Sequence, residues 1–249
     1  MADQIPLFQR LAQARADRVV IDTPSVAPAD AHASYTIQHE LLDALGATVG
    51  GWKVGAKSPG GTAQCAPLPA AEVRASGARL SRHRFVPLGL ELEIAFKFDR
   101  AFEPRVAPYV AEEVLGAIGA MAAAIEIVSS RYAAWPNVEK LLQLADLQNH
   151  GALVVGEFRD YDADYSFSEP VLDFSFEGAP VTKEAAANPA GDPRTLLPWL
   201  VNHVTRRDIT LTPNMIVTTG SYSGMFFPKS AGAATGTISG FLPVHLELS

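Results

Sequence analysis

Apolar positions along the chain change their period near residue 50. Upstream they recur at helical spacing: Leu7, Leu11 and Ala14 form one stripe over 4–17. Tyr35, Ile37, Leu41, Leu42 and Leu45 form another over 29–46, with Asp30 as cap and Gly46 as stop. Pro24, Pro28 and the small residues between them mark a linker. A helical N-terminal segment is therefore expected over 1–48. Downstream the pattern turns to strands: Trp52 to Gly55, the alternating run from Leu90, Gly151 to Gly156, Met215 to Gly220, and a last pair within Thr237 to Leu248. Residues 160–182 read as a meander of Tyr165 to Phe167 and Val171 to Phe176 with a turn at Glu177 to Pro180. Helices are expected over 110–123, 137–147 and 193–206, the last capped by Asp192 with Pro193 near its start. Residues 66–88 read as irregular. Strands outnumber helices after residue 50, so the expected class is α+β. It comprises a β-rich body over 49–249 with outer helices, forming one domain with the N-terminal segment.

Two positions break the alternation of the Leu90 run chemically. Alternate strand side chains share a face, so Glu91 and Glu93 point the same way. Their neighbours Leu90, Leu92, Ile94, Ala95 and Phe96 suit an interior strand, where two carboxylates repel one another and are costly to ionise. A divalent cation such as Mg²⁺ removes both objections. The plainer alternative is an edge strand with both acids in water. Glu126 is the only acid between Ala120 and Tyr132, where a small-residue helix is expected to give way to a β-branched segment. It reads as a third ligand or as a partner of Arg131. Lys53, between Trp52 and Val54, reads as a base, an anion partner or a snorkelling lysine. Lys57 opens the Gly- and Pro-containing loop to Thr62, a lid or plain surface. Thr218, Thr219, Gly220 and Ser221 end a strand with donors that suit an oxyanion. His150 reads as an acid or base, or as a structural residue.

Composition narrows the choice. With 249 residues, 48% of them hydrophobic, the chain can bury a large core. A net charge of −7 argues against nonspecific nucleic-acid binding. The single cysteine, Cys65, excludes an internal disulfide and fits a reducing compartment. No signal peptide or membrane-length apolar run is visible, so a cytoplasmic protein without membrane contact is expected. There is no Gly-x-Gly-x-x-Gly, P-loop, Gly-x-Ser-x-Gly or zinc-type histidine spacing.

Five segments, in order, carry a resemblance: Gly51-Trp52-Lys53-Val54-Gly55, the Glu91 to Phe96 run, Ala124 to Arg131, Ala145 to Gly156, and Ile216 to Ser221. They resemble the 2-keto-4-pentenoate hydratase / 4-oxalocrotonate decarboxylase group of the fumarylacetoacetate hydrolase superfamily over residues 30–247. The resemblance implies a mixed β-roll of the fumarylacetoacetase C-terminal type. It implies that Glu91, Glu93 and Glu126 hold Mg²⁺ or Mn²⁺, that Lys53 transfers protons, and that Thr219, Gly220 and Ser221 border the substrate; Lys57 is a further substrate-side candidate. It also implies a homo-oligomeric lyase on a small 2-oxo acid: a 2-keto-4-pentenoate hydratase of aromatic catabolism, with a 4-oxalocrotonate-type decarboxylase or an acylpyruvate C–C hydrolase as alternatives. A scaffold subunit is the non-enzymatic one. Two departures stand out: Leu88-Gly89 replace the Pro-Arg usual before the Glu-x-Glu strand, and Thr62 to Leu68 lacks the usual loop acid.

Overall fold

Strand periodicity after residue 48 resolves into two β-sheets closed around one apolar core. The computed structural model describes residues 5–182 and 187–249. Helices α1 (Leu7–Asp17) and α2 (Ala31–Ala44) come first. The Asp30 carboxylate caps α2 by accepting from Ala33 N at 2.8 Å, and Gly46 leaves it with a left-handed φ of 58°. Then come β1 (Val49–Gly55), β2 (Gln64–Pro69), β3 (Val73–Ala75), β4 (Ala78–Leu80), β5 (Gly89–Phe98), α3 (Ala111–Leu115), β6 (Ile118–Val128), α4 (Lys140–Ala145) and β7 (His150–Val155). The chain ends with β8 (Arg159–Asp160), β9 (Leu172–Phe176), β10 (Ala179–Pro180), α5 (Leu197–Thr205), β11 (Ile216–Ser221), β12 (Gly232–Ile238) and β13 (Val244–Leu248).

The larger sheet runs β2-β1-β11-β5-β6-β7-β3, with β8 added to β6; the smaller runs β10-β9-β12-β13-β4. Both are mixed. The pairs β1–β11, β3–β7 and β4–β13 are parallel and the others antiparallel. The sheets pack closely where β12 meets β5: a Cβ at Gly236 would force the Leu92 side chain to move. Leu90, Leu92, Ile94 and Phe96 are fully buried in this core with Phe167 and Phe174. Each contributes about 1.5–3 kcal/mol by leaving water. Helices α1 and α2 close a second apolar cluster, in which Leu11, Leu41 and Leu42 meet Ala66, Tyr132, Val138 and Leu142.

Three expectations differ from the structure. The helix expected over 110–123 stops at Leu115, and the alanine-rich stretch from Ile118 is the long strand β6. Alanine favours a helix in isolation, but β6 is paired along one flank by β5 and along the other by β8 and then β7, and Ala122, Ala123 and Ala124 are fully buried. Tertiary pairing outweighs propensity there. Residues 66–88 hold most of β2 and all of β3 and β4, strands too short to show a period. Tyr165 to Phe167 is not a strand; Phe167 is a buried core side chain. The hairpin turn is confined to Glu177 and Gly178, both with positive φ, as a two-residue hairpin requires.

Candidate active site

Four neighbouring strands bring the acidic residues and Lys53 to one cleft. In the β5–β6 register Glu91 stands directly opposite Glu126, and Glu93 opposite Ala124. On the other side of β5, Ser221 of β11 pairs with Glu93, and β11 sets Thr218 beside Lys53 of β1. One carboxylate oxygen from each of Glu91, Glu93 and Glu126 lies within 4.8 Å of the others. The edge-strand alternative does not apply, because β5 has partners on both flanks. Glu93 is 2% and Glu126 1% exposed, while Glu91 is half-buried at the cleft. The cleft measures about 570 Å³, within the range of small-ligand sites. Lys53, Lys57, Gln64, Gln148, Gly220 and Ser221 also line it.

Glu126 does not pair with Arg131. Lys53 Nζ donates to both its oxygens, at 2.5 and 2.7 Å, and His150 Nδ1 lies 3.0 Å from Oε1. Arg131 instead joins Arg15 on the buried Asp146, the shorter contact being Arg15 Nη2 to Oδ1 at 2.8 Å. Burial alone pushes the Glu126 carboxyl up, but Lys53 and His150 overcome it and hold the group at about 2. Nothing comparable reaches the other two acids. Burial, then the charge of Glu126, pushes Glu91 up to about 7 and Glu93 well above the usual carboxylate range. Burial would also favour neutral Lys53, but Glu126 and Glu93 outweigh it and its affinity for the proton rises. Of the roles open to Lys53, the ion pair dominates here. Burial lowers the His150 pKa, so its neutral ring donates from Nδ1 to Glu126; Nε2 has no partner among the described residues.

Local backbone strain completes the arrangement. Leu147, Gln148 and Asn149 all take left-handed φ values of 50–58°, unusual for three non-glycine residues in a row. That run turns the Gln148 carbonyl toward Lys53 Nζ, 3.4 Å away. In β11 the register slips between Thr218 and Ser221, and Gly220, at φ 95°, donates its N–H to Glu93 Oε2 at 3.2 Å. Asn188 Nδ2 secures this bulge by donating to the Thr219 and Gly220 carbonyls. Thr219 is buried, its hydroxyl donating to Ile94 O, so it shapes the bulge rather than lining the cleft. Lys57 is exposed at the rim, and Lys140, at the start of α4, joins it. Neither Asn188 nor Lys140 was legible as a site residue; folding alone brings Lys140 to the cleft and Asn188 to the bulge beside it. His150 carried a signal, a histidine opening a buried strand, but not its partner.

No family model matches the chain. It is 27% identical over 158 residues to a 2-keto-4-pentenoate hydratase of Paraburkholderia xenovorans, a stretch covering 64% of this chain and 58% of that relative's length. A 2-keto-4-pentenoate hydratase of Paraburkholderia phymatum is 25% identical over 230 residues, covering 88% and 87%. Among solved structures, 4-oxalocrotonate decarboxylase from Pseudomonas putida, complexed with magnesium and adipate, superposes with a TM-score of 0.81 at 17% identity, covering 100% of this chain and 98% of that one. A fumarylacetoacetate hydrolase from Exiguobacterium antarcticum gives 0.61 at 11% identity, covering 82% and 76%.

Proposed function

We infer, from a chain that resembles the 2-keto-4-pentenoate hydratase / 4-oxalocrotonate decarboxylase group in sequence and the fumarylacetoacetate hydrolase superfamily in fold, that it is a divalent-metal-dependent lyase. Its substrate is a small 2-oxo acid and its reaction most simply the hydration of 2-hydroxypenta-2,4-dienoate in aromatic catabolism. The single observation that carries the reading is the buried convergence of Glu91, Glu93 and Glu126. Three carboxylates against one lysine leave the pocket with two uncompensated negative charges when all ionise, and all the oxygen donors are hard. That donor set fits Mg²⁺ or Mn²⁺.

Glu91, Glu93 and Glu126 would hold the ion. When bound, it supplies Lewis-acid charge that polarises the keto oxygen of a 2-oxo acid. Lys53, on Glu126, holds a proton at Nζ beside the cleft and is the group placed to move it to or from substrate carbon. His150 orients Glu126, and the Gly220 N–H orients Glu93. Lys57, Ser58, Gly61 and Thr62 of the loop wall the cleft. A homo-oligomeric, cytoplasmic enzyme is part of the same proposal.

A decarboxylase is the second reading, favoured by Lys57 and Lys140 at the rim, two cations suited to the far carboxylate of a dicarboxylic substrate. One experiment separates them. Purified protein is offered 2-hydroxypenta-2,4-dienoate and 2-oxohex-4-enedioate, with Mg²⁺ and with EDTA. Hydration of the first, abolished by EDTA, supports the hydratase; CO₂ release from the second alone supports the decarboxylase. Turnover that survives EDTA refutes both.

A further inference from the structure

A second cleft, of about 520 Å³, opens between α2 and α5 and shares no lining residue with the first. His32, Trp199, Asn202, His203, Arg206 and Arg207 line it. Its side chains are stacked in series with Tyr35. The Trp199 indole lies 4.7 Å from the His203 ring at 19°, nearly parallel. His203 lies 4.4 Å from the Tyr35 ring. The Arg207 guanidinium covers Tyr35 at 4.8 Å, and its Nη2 is 3.2 Å from His32 Nδ1. Packing therefore holds Arg207 in place before any ligand arrives, which lowers the entropic cost of binding.

The charge of this cleft is one-sided in a chain whose net charge is −7. No Asp or Glu among the described residues lines it, and neither Arg206 nor Arg207 forms an ion pair among them. Asp43 acts on the neighbouring His39. Burial, then Arg207, His39 and Arg206, pushes His203 down to about 4, as expected where positive charge lacks a counterion. Guanidinium forks match carboxylate and phosphate oxygens, and an indole edge or face takes flat apolar bodies.

We propose that the α2–α5 cleft binds a small organic anion with a planar unsaturated or aromatic body. Its oxyanion meets Arg206 and Arg207, and its body lies against Trp199. Trp199 also lines the cavity beneath Pro59, Gly60 and Gly61, so the bound anion sits one side chain from the loop that walls the catalytic cleft.

The full chain is titrated by calorimetry with benzoate and with AMP, whose responses tell a carboxylate source from a phosphate source. Each titration is repeated with Mg²⁺ and oxalate present, which on the proposed function would occupy the first cleft. The expected result is saturation by at least one probe with Kd below about 1 mM, unchanged by oxalate. Arg206→Gln should weaken it at least about fivefold and Arg207→Gln should abolish it. Arg206 is exposed and its side chain has no hydrogen-bonded partner among the described residues, so its variant keeps the fold even should Arg207→Gln lose packing on Tyr35. No saturation below about 10 mM, displacement by oxalate, an unchanged Kd in Arg206→Gln, or equal binding of acetate and inorganic phosphate overturns the proposal.

Discussion

Glu91 and Glu126 face each other across β5 and β6, yet their carboxyls are driven in opposite directions, to about 7 and about 2. The difference is the pair of partners, Lys53 and His150, that only Glu126 has at hydrogen-bond distance. Lys53 spends its charge on both oxygens of Glu126, which leaves Glu91 and Glu93 to bear the repulsion of that carboxylate and the cost of burial. Below about pH 7 the pocket is thus polarised into an ionised Glu126 and two acids that favour their protons.

Cation binding should therefore release protons and strengthen as pH rises. A carboxyl whose folded pKa exceeds its unfolded value holds a proton that the unfolded chain has already shed. The metal-free fold consequently loses stability from about pH 4.5 to about 7 as Glu91 ionises. Melting should show a lower Tm at pH 8 than at pH 5.5 without metal, and a larger rise with Mg²⁺ at pH 8. An equal rise at both pH values would contradict this account.

Neutralising the acids one at a time should give effects of opposite sign on the metal-free fold. Glu126→Gln strands the Lys53 charge and should destabilise by about 3 kcal/mol. Glu93→Gln replaces a buried acid that is costly to ionise with a neutral isostere and should leave stability unchanged or raised. Both should weaken Mg²⁺ binding at least about tenfold. Denaturant melts and calorimetry on the pair check this; two variants equally destabilised would show that Glu93 is not under electrostatic stress.

Lys53→Met should separate chemistry from metal affinity. Turnover should fall at least about 100-fold, because the proton carrier is gone. Mg²⁺ should bind as tightly as before or more so, because the lysine competes for Glu126. Parallel loss of both would place Lys53 in a purely structural role.

His150→Leu should lower turnover about 10- to 100-fold by releasing Glu126 from its hydrogen bond, while KM changes little. Wild-type kinetics in this variant would mean that Lys53 alone fixes the carboxylate.

Ala123→Leu tests why β6 is built from alanine. Its side chain is fully buried in the central core. The larger residue should cost about 1–3 kcal/mol by overpacking, read as a lower midpoint in urea.

Much of this was readable before folding. Glu91, Glu93 and Glu126 stood out because ionisable groups interrupted apolar, strand-like runs, and Asp30 and Asp192 marked helix starts that the structure keeps. The first half of β6 reads as helix because alanine has no clear facial period and high helix propensity; its strand state there comes from pairing with β5 and β8. Lys53's choice of Glu126 lay equally out of reach, since it depends on the parallel β1–β11 pairing of segments far apart in sequence. The Asn188 side chain grips backbone carbonyls, and Gln148 acts through its own carbonyl, so in both cases the partner is a backbone atom that residue identity barely records.

Each strand bearing an acid is flanked on both sides by others, so the proposed seat of the cation belongs to the scaffold itself. Altering it means rebuilding a sheet. The walls that would meet the organic part of the proposed substrate hang from strand ends instead, at Ala56 to Thr62 and at Gly220 and Ser221. Anyone wishing to retarget this protein can graft new loops there and expect the cation chemistry to be inherited intact.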